Sequence, residues 1–456
     1  MGSDSPRRVA VIGGGITGLS AAWRLKQAGI ETVLFESSPR PGGWVHTTEK
    51  DGFLLEWGPH SVLPGSSTLI ELAAAVGLTE QWESADSRAR RRYIYRSGQP
   101  RALPQSPLGI PFSTALSPKG WLRVATEPFR STAGSPEESV QSFFRRRLGR
   151  EASEILADAM VAGISGGIPE DLEMESFAPA VAEMEQKYGS LLRGLMGRRR
   201  PEGVPFKGTG TLRKGMQSLP EALASELSDT YQGRNTVTDL YRSNDAWSLK
   251  VSGAYKGDTD RFDAVILATP AEITARLVRS QSIRLEQLLG SISYASMVLV
   301  QIAYDASKCH FKPDGFGFLV PRGQGLQILG SIWSSTVFPW RAPAGKALAT
   351  VFMGGVRQPA LGELRKSDIV EIALADMARV HGSGFVADWS EVGLAPSAIP
   401  QQKRGHSRKV AAIRKVCAEI PGVEVVGGFI DGISLENCAR SGFQAADRVI
   451  SGHSSQ

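Results

Sequence analysis

The hydrophobic pattern changes period twice between Arg8 and Glu36. An apolar run from Arg8 to Ile12 reads as a buried strand, and Gly13, Gly14, Gly15 and Gly18 interrupt it. Leu19, Ala22, Trp23 and Leu25 then recur at helical spacing until Gly29, and Thr32 to Phe35 form a second strand-like run that ends on Glu36. Six residues later comes the pair Gly42-Gly43.

Further along, 67–76 predicts a helix stopped by Gly77. Residues 136–161 and 175–195 predict helices separated by a Gly-rich break at 163–169, so 87–205 reads as a mostly helical insertion. The texture then changes. A helix is predicted over 212–227, with Pro220 as a break or kink, then strands over 235–240 and 247–254 and a buried strand over 263–268. Apolar runs at 294–304, 316–320, 326–333 and 347–353 lie close together and predict an antiparallel sheet. Near the end, a strand over 423–426 precedes Gly427-Gly428, Asp431-Gly432-Ile433-Ser434 and a helix to about Ile450, with Glu436 in its first turn.

Size and composition refine this picture. The chain has 456 residues, 41% hydrophobic and 21% charged, enough for about three domains and typical of a globular protein. Cys309, Cys417 and Cys438 show no paired spacing, so no disulfide is expected. The six histidines (His46, His60, His310, His381, His406, His453) show no ligand spacing, and no metal site is predicted. No apolar run is long enough to span a bilayer, and residues 1–8 do not read as a signal peptide. A cytoplasmic protein is expected, touching the inner (cell) membrane at most peripherally.

Charge is unevenly placed. Residues 87–130 hold nine Lys or Arg (Arg88, Arg90, Arg91, Arg92, Arg96, Arg101, Lys119, Arg123, Arg130) against Glu127 alone, within a net charge of +6. Ile110, Phe112, Leu116, Trp121, Leu122 and Phe129 are interleaved with them. Such a mixture suits an anionic membrane surface or an anionic substrate. A plain solvated basic face would show the same charges, and no nucleic-acid recognition motif is present.

The opening pattern carries chemistry. Glycines let a strand turn directly into a helix whose free N–H groups face a pyrophosphate, and Glu36 lies where a carboxylate meets an adenosine ribose and repels a 2′-phosphate. A dinucleotide other than NADP is expected. The stretch 36–60 (ESSPRPGGWVHTTEKDGFLLEWGPH) resembles the flavin amine oxidase superfamily, in which the paired glycines pass close to FAD, so non-covalent FAD is expected rather than NAD.

Nearly the whole chain resembles the protoporphyrinogen oxidase family. The matching pieces include Trp44, Gly58-Pro59, Arg92-Tyr93-Ile94-Tyr95, FFRRRLG at 143–149, AGISGG at 162–167, GFGFLVP at 315–321 and CARSGFQAA at 438–446. The resemblance implies an α/β fold: a discontinuous Rossmann-like FAD-binding domain (1–86, 206–270, 406–456), a helical membrane-binding insertion (87–205) and an antiparallel-sheet substrate domain (271–405). It implies six-electron oxidation of protoporphyrinogen IX, with electrons passing through FAD to O2 as hydrogen peroxide, and a homodimer. No catalytic acid or base is assigned.

By the same resemblance FAD would be held by Gly13, Gly14, Gly15, Gly18, Glu36, Arg40, Gly42, Gly43, Trp44, Gly58, Pro59, His60, Val237, Ala268, Gly428, Gly432, Ile433 and Ser434. Arg92 would pair with a substrate propionate, the Gly317 backbone would approach a pyrrole N–H, and Phe316, Leu319, Ile332 and Phe352 would sandwich the ring. His60 and Gln402 depart from the usual arginine and tyrosine. Coproporphyrinogen III remains a rival substrate, for which Arg88, Arg90, Arg91, Arg96 and Arg101 offer further cations. The pattern also leaves room for an amine oxidase, a carotenoid desaturase or a non-catalytic flavin-binding protein.

Overall fold

A computed structural model describes residues 8–130, 132, 134–197, 203–243, 245–382 and 384–452. The strand Arg8–Ile12 is central in a five-stranded sheet ordered Val423–Val425, Ala264–Leu267, Arg8–Ile12, Glu31–Phe35, Tyr231–Gln232. All its pairings are parallel, with Ala10 opposite Val33 on one side and Val265 on the other. Both faces of these strands are covered, which is why they read as unbroken apolar runs. The strands come from three separate stretches of sequence.

The helix Ile16–Gln27 begins directly after Gly15 and buries Leu19, Ala21, Ala22 and Leu25. It packs on the C-terminal helix Leu435–Ile450, where a Cβ on Gly442 would lie 2.1 Å from the Thr17 carbonyl oxygen. Only glycine permits that approach. The predicted helix at 212–227 is shorter, Ser218–Glu226, because Leu212 belongs to the strand Gly210–Leu212. Pro220 sits in its first turn, where no backbone donor is lost, so it causes no kink.

The second sheet has seven strands, ordered Ala387–Pro400, Tyr294–Tyr304, Ala347–Gly354, Gly330–Ile332, Gly317–Leu319, Tyr93–Arg96, Gln99–Ala102. It is antiparallel except where Gly317–Leu319 meets Tyr93–Arg96. Two strands differ from expectation. Tyr93–Arg96 and its hairpin partner fall inside the stretch read as helical, because Tyr93 and Tyr95 alternate into an aromatic core with Trp333 and Phe318. The edge strand Ala387–Pro400 was not predicted, since Gly393 and Pro396 disguise it and an edge tolerates both. One face of this sheet is sealed by Ile369, Ala373, Met377 and Val380 of the helix Lys366–His381.

The helical part comprises Val140–Leu148, a nearly continuous helix over 150–165 with one π turn at Ser153–Ala157, and three short helices between Met174 and Gly197. Gly166 ends the long helix at φ +63°, which is the Gly-rich break seen in sequence. Within FFRRRLG, Arg147 is fully buried and its Nε donates to Glu127 at 2.8 Å, while Arg146 bridges Glu138 and Glu185. Two apolar side chains of the basic stretch turn inward. Leu116 and Trp121 are buried, and the indole N–H of Trp121 donates to the Ser113 carbonyl at 3.0 Å, so they do not belong to an outer face. All three cysteines are free.

Gly442→Ala is expected to destabilise the protein by about 1–3 kcal/mol, since backbone stands where the new Cβ must go. An unchanged thermal midpoint would show that the two helices part without cost.

Candidate active site

The carboxyl ends of the parallel strands converge on one crevice, where Gly13, Glu36, Ala268 and Gly427-Gly428 follow four of the five strands. Ligands bind at this edge in open α/β sheets. A Cβ on Gly13 would lie 2.7 Å from the Ala268 oxygen and one on Gly18 only 1.9 Å from the Gly13 oxygen, whereas nothing lies within 4 Å of one on Gly15. The first two glycines close the turn; the third leaves an open cradle. The helix behind it has no side-chain cap and no acid in its first turn, so its dipole is free to meet an anion.

Glu36 accepts hydrogen bonds from the Gly14 and Ser38 amides, both at 2.6 Å, and so joins the second strand to the glycine loop. Gly42 donates to the Gly14 carbonyl at 2.8 Å. Arg40 shapes this loop, since its guanidinium donates to the carbonyls of Gly43 (2.8 Å) and Val45 (3.1 Å). Val237 is buried beside Phe35 and Ile12. At the C-terminal wall Ser434 caps the last helix through Asn437, Gly432 precedes it at φ +107°, and Ile433 lies between them. Glu436 reaches away, accepting the amides of Thr68 and Leu69 and so capping a second helix. Trp44 points outward, 45% exposed, along a groove of about 1090 Å³ shared with His46, Trp57 and Gly393. The cradle, the free helix end and the acid together fit a dinucleotide such as FAD.

The open face of the seven-stranded sheet carries Leu319, Ile332 and Phe352 in register: Phe352 pairs with Gly330, Gly330 with Leu319, and Ile332 with Gly317. Each of the three side chains is half-buried, although their strand neighbours Phe318, Ser331 and Val351 are buried completely. They line a wall rather than a core. Gly317 (φ +152°) serves packing: a Cβ there would lie 2.1 Å from the Ser331 oxygen. The helix Asp158–Ser165 closes one side, with Gly163 so close to Leu319 that a Cβ would come within 2.4 Å of its side chain.

Arg92 lies at the end of this wall with its guanidinium 4.4 Å from the centroid of the Phe316 ring. It is open to solvent, and partial enclosure by its surroundings lowers its pKa. Among the described residues no carboxylate pairs with it. Three of its neighbours are compensated, Arg88 by Asp86 (3.0 Å), Arg96 by Glu151 (2.8 Å) and Arg91 by Asp314, whereas Arg90 and Arg101 meet no acid among the described residues.

Contacts connect wall to cradle. Phe352 meets the His60 ring at 5.7 Å, a Cβ on Gly58 of the same segment would lie 1.8 Å from the Trp44 oxygen, and one on Gly43 would lie 3.6 Å from Gly15. Beneath them Arg341 pairs with Glu56 at 3.1 Å and donates to the His60 carbonyl at 2.9 Å, all three being buried. Gln301 donates to the Glu56 carbonyl at 2.6 Å and accepts from Thr350. Sequence reasoning missed Arg341, Gln301 and Thr350, for no local pattern marks them; Gly163 lay within the AGISGG match without being singled out. Burial, helped by Arg341, pushes the His60 pKa down to about 3, so its imidazole is neutral. His381 and His406 are satisfied within the core by Trp333, Phe311 and Phe429. Gln402 is buried, and its carbonyl accepts the Glu173 amide. Among the described residues no acidic, His or Cys cluster could hold a metal, and no helix is long and apolar enough to cross a membrane.

The profile of the family described as flavin containing amine oxidoreductase matches residues 16–450. The mitochondrial protoporphyrinogen oxidase of Nicotiana tabacum is 29% identical, the match covering 98% of this chain and 95% of that protein. The coproporphyrinogen III oxidase of Bacillus subtilis (strain 168) is also 29% identical, with 98% and 99% covered. Among solved structures, a protein of Exiguobacterium sp. 255-15 overlays with a TM-score of 0.82 at 23% identity, covering 97% and 98% of the two chains. Cyclohexylamine oxidase from Brevibacterium oxydans IH-35A overlays at 0.71 and 16%, covering 98% and 99%.

Unfolded, His60 takes up a proton below its ordinary value of 6.5; folded, it does so only near 3. The unfolded state therefore binds more protons in between, and His60 makes the protein less stable as pH falls from 6.5 towards 3. Between pH 7 and pH 5 this amounts to about 2 kcal/mol, which urea titrations of His60→Asn are expected to lack. An equal loss in the variant would assign the acid sensitivity elsewhere.

Proposed function

The chain belongs to the flavin containing amine oxidoreductase family, and we propose that it oxidises protoporphyrinogen IX to protoporphyrin IX, removing six electrons and six hydrogens and converting three O2 to three hydrogen peroxide. The observation that carries this reading is the half-open wall of Leu319, Ile332 and Phe352 with one uncompensated guanidinium, Arg92, at its end. A flat apolar wall suits a broad macrocycle, and an arginine fork suits a propionate.

FAD, when bound in the glycine cradle, supplies a hydride acceptor that returns electrons to O2. The protein's own task is to present a ring carbon to it. Leu319, Ile332 and Phe352 exclude water and set the plane of the substrate, while Arg92 sets its rotation within that plane. No general base is required of the wall. Its strand positions carry Gly, Leu, Ile, Thr and Phe, and aromatisation of the product drives proton loss. His60, behind Phe352, is neutral and adds no charge of its own there.

The arginine pairings favour the substrate with fewer carboxylates. Of the five further cations that coproporphyrinogen III would use, Arg88, Arg91 and Arg96 are engaged by acids, and only Arg90 and Arg101 meet none among the described residues. The reading divides the chain into FAD-binding, helical and substrate-binding units, with the hairpin 93–102 moved from the helical unit to the substrate sheet. It also includes peripheral attachment to the cytoplasmic face of the cell membrane. Phe112, Leu122 and Phe129 are 85%, 66% and 83% exposed, with Lys119 and Arg130 exposed nearby. Aromatic and basic side chains standing out together suit an anionic bilayer surface.

Porphyrin fluorescence from purified protein in air is expected to grow faster with protoporphyrinogen IX than with coproporphyrinogen III, with peroxide in step; the reverse order would move the assignment to the second substrate. Arg92→Ala is expected to raise KM about tenfold or more at unchanged flavin content, a loss appropriate to one charge-assisted pair. Liposomes rich in anionic lipid should sediment the protein at low salt but not its Phe112→Ser/Leu122→Ser/Phe129→Ser form. Equal sedimentation would remove the membrane from the proposal.

A further inference from the structure

Arg92 stands near three arginines that are held by acids, yet the only group upon its own guanidinium among the described residues is an aromatic ring. Arg88, Arg91 and Arg96 meet Asp86, Asp314 and Glu151, while Arg92 lies 4.4 Å from the centroid of Phe316. A guanidinium needs some stabilisation when partly desolvated, and an acid would supply it at the cost of occupying the fork. The face of a phenyl ring attracts the cation and leaves all five N–H donors unspent.

Phe316 is itself fixed. Its amide donates to the Arg91 carbonyl at 2.8 Å and its carbonyl accepts from the Trp333 amide at 3.0 Å, and it packs half-buried against the apolar cluster of Ala89, Val337 and Phe338. Its backbone is therefore tied to the residues just outside the strands Tyr93–Arg96 and Gly330–Ile332.

We propose that Phe316 is a positioning residue that holds Arg92 charged and unpaired for a single carboxylate of the substrate, so that this end of the site reads one acid group and no more. The inference rests on the tetrapyrrole reading of the same site and extends it to how the carboxylate is selected.

The holoenzyme tests it with protoporphyrinogen IX. Phe316→Leu is expected to raise KM roughly 3- to 10-fold, the range of a partly desolvated cation–π contact, with kcat within twofold and flavin content unchanged. Phe316→Tyr and Phe316→Trp should restore KM. In the Arg92→Ala background Phe316→Leu should change nothing further, because the group it positions is gone. Progressive fluorination of the Phe316 ring, which weakens its negative face while keeping its shape, should raise KM step by step; this arm also serves if Phe316→Leu fails to fold. A KM independent of fluorination, or additive effects of the two substitutions, would overturn the proposal while leaving Arg92 in the site. An Arg92→Ala enzyme with unaltered KM would instead overturn the reading beneath it.

Discussion

The buried ion pair between Glu56 and Arg341 is the interaction on which the arrangement of this molecule depends. The two side chains are 0% and 1% exposed and 3.1 Å apart. Glu56 ends the hairpin that follows the glycine loop, and Arg341 belongs to the segment that leads into the central sheet strand Ala347–Gly354. Two charges so far from water gain little net stability, since desolvation offsets most of their attraction. Removing one partner, however, strands the other. The pair therefore penalises any other placement of cradle against wall more than it stabilises this one, and burial, which raises the Glu56 pKa and lowers that of Arg341, is the measure of that penalty.

Around the pair, the remaining polar groups are nearly all satisfied across the junction. Glu56 also accepts from Met216 and Thr47, its carbonyl accepts from Gln301, and Arg341 donates to Thr211 and the His60 carbonyl. The exceptions are His60 Nε2 and Arg341 Nε, which are buried without a hydrogen-bond partner among the described residues, and the His60 ring meets Phe352.

Charge is handled in opposite ways in the helical part and beside the wall. In the helical part the buried cations have acids: Arg147 has Glu127, and Arg357 of the sheet domain reaches Asp158 at 2.8 Å. Those pairs fasten helices to each other and to the sheet. Arg92, among the described residues, is left to an aromatic ring, and the proposed ligand role of this cation rests on that difference.

Much of the nucleotide side was legible in sequence. The glycine loop, its helix and Glu36 act through backbone geometry within a few residues, so their spacing alone determined the cradle, and the continuous apolar runs determined the parallel strands. The wall was legible only in part. Alternation identified the strands bearing Leu319, Ile332 and Phe352, but could not tell a core residue from one lining a cavity, because both are apolar at the same period. Trp121 read as an outer residue and is buried, since its indole N–H finds Ser113 only after the insertion folds. The edge strand Ala387–Pro400 left no signal, because one unpaired side relaxes the demand for strand-forming residues. The Glu56–Arg341 pair joins residues 285 apart in the chain. Nothing local marks either one, for their meeting is decided by where the two sheets pack, and only the tertiary structure could select one arginine for a buried acid and leave another free.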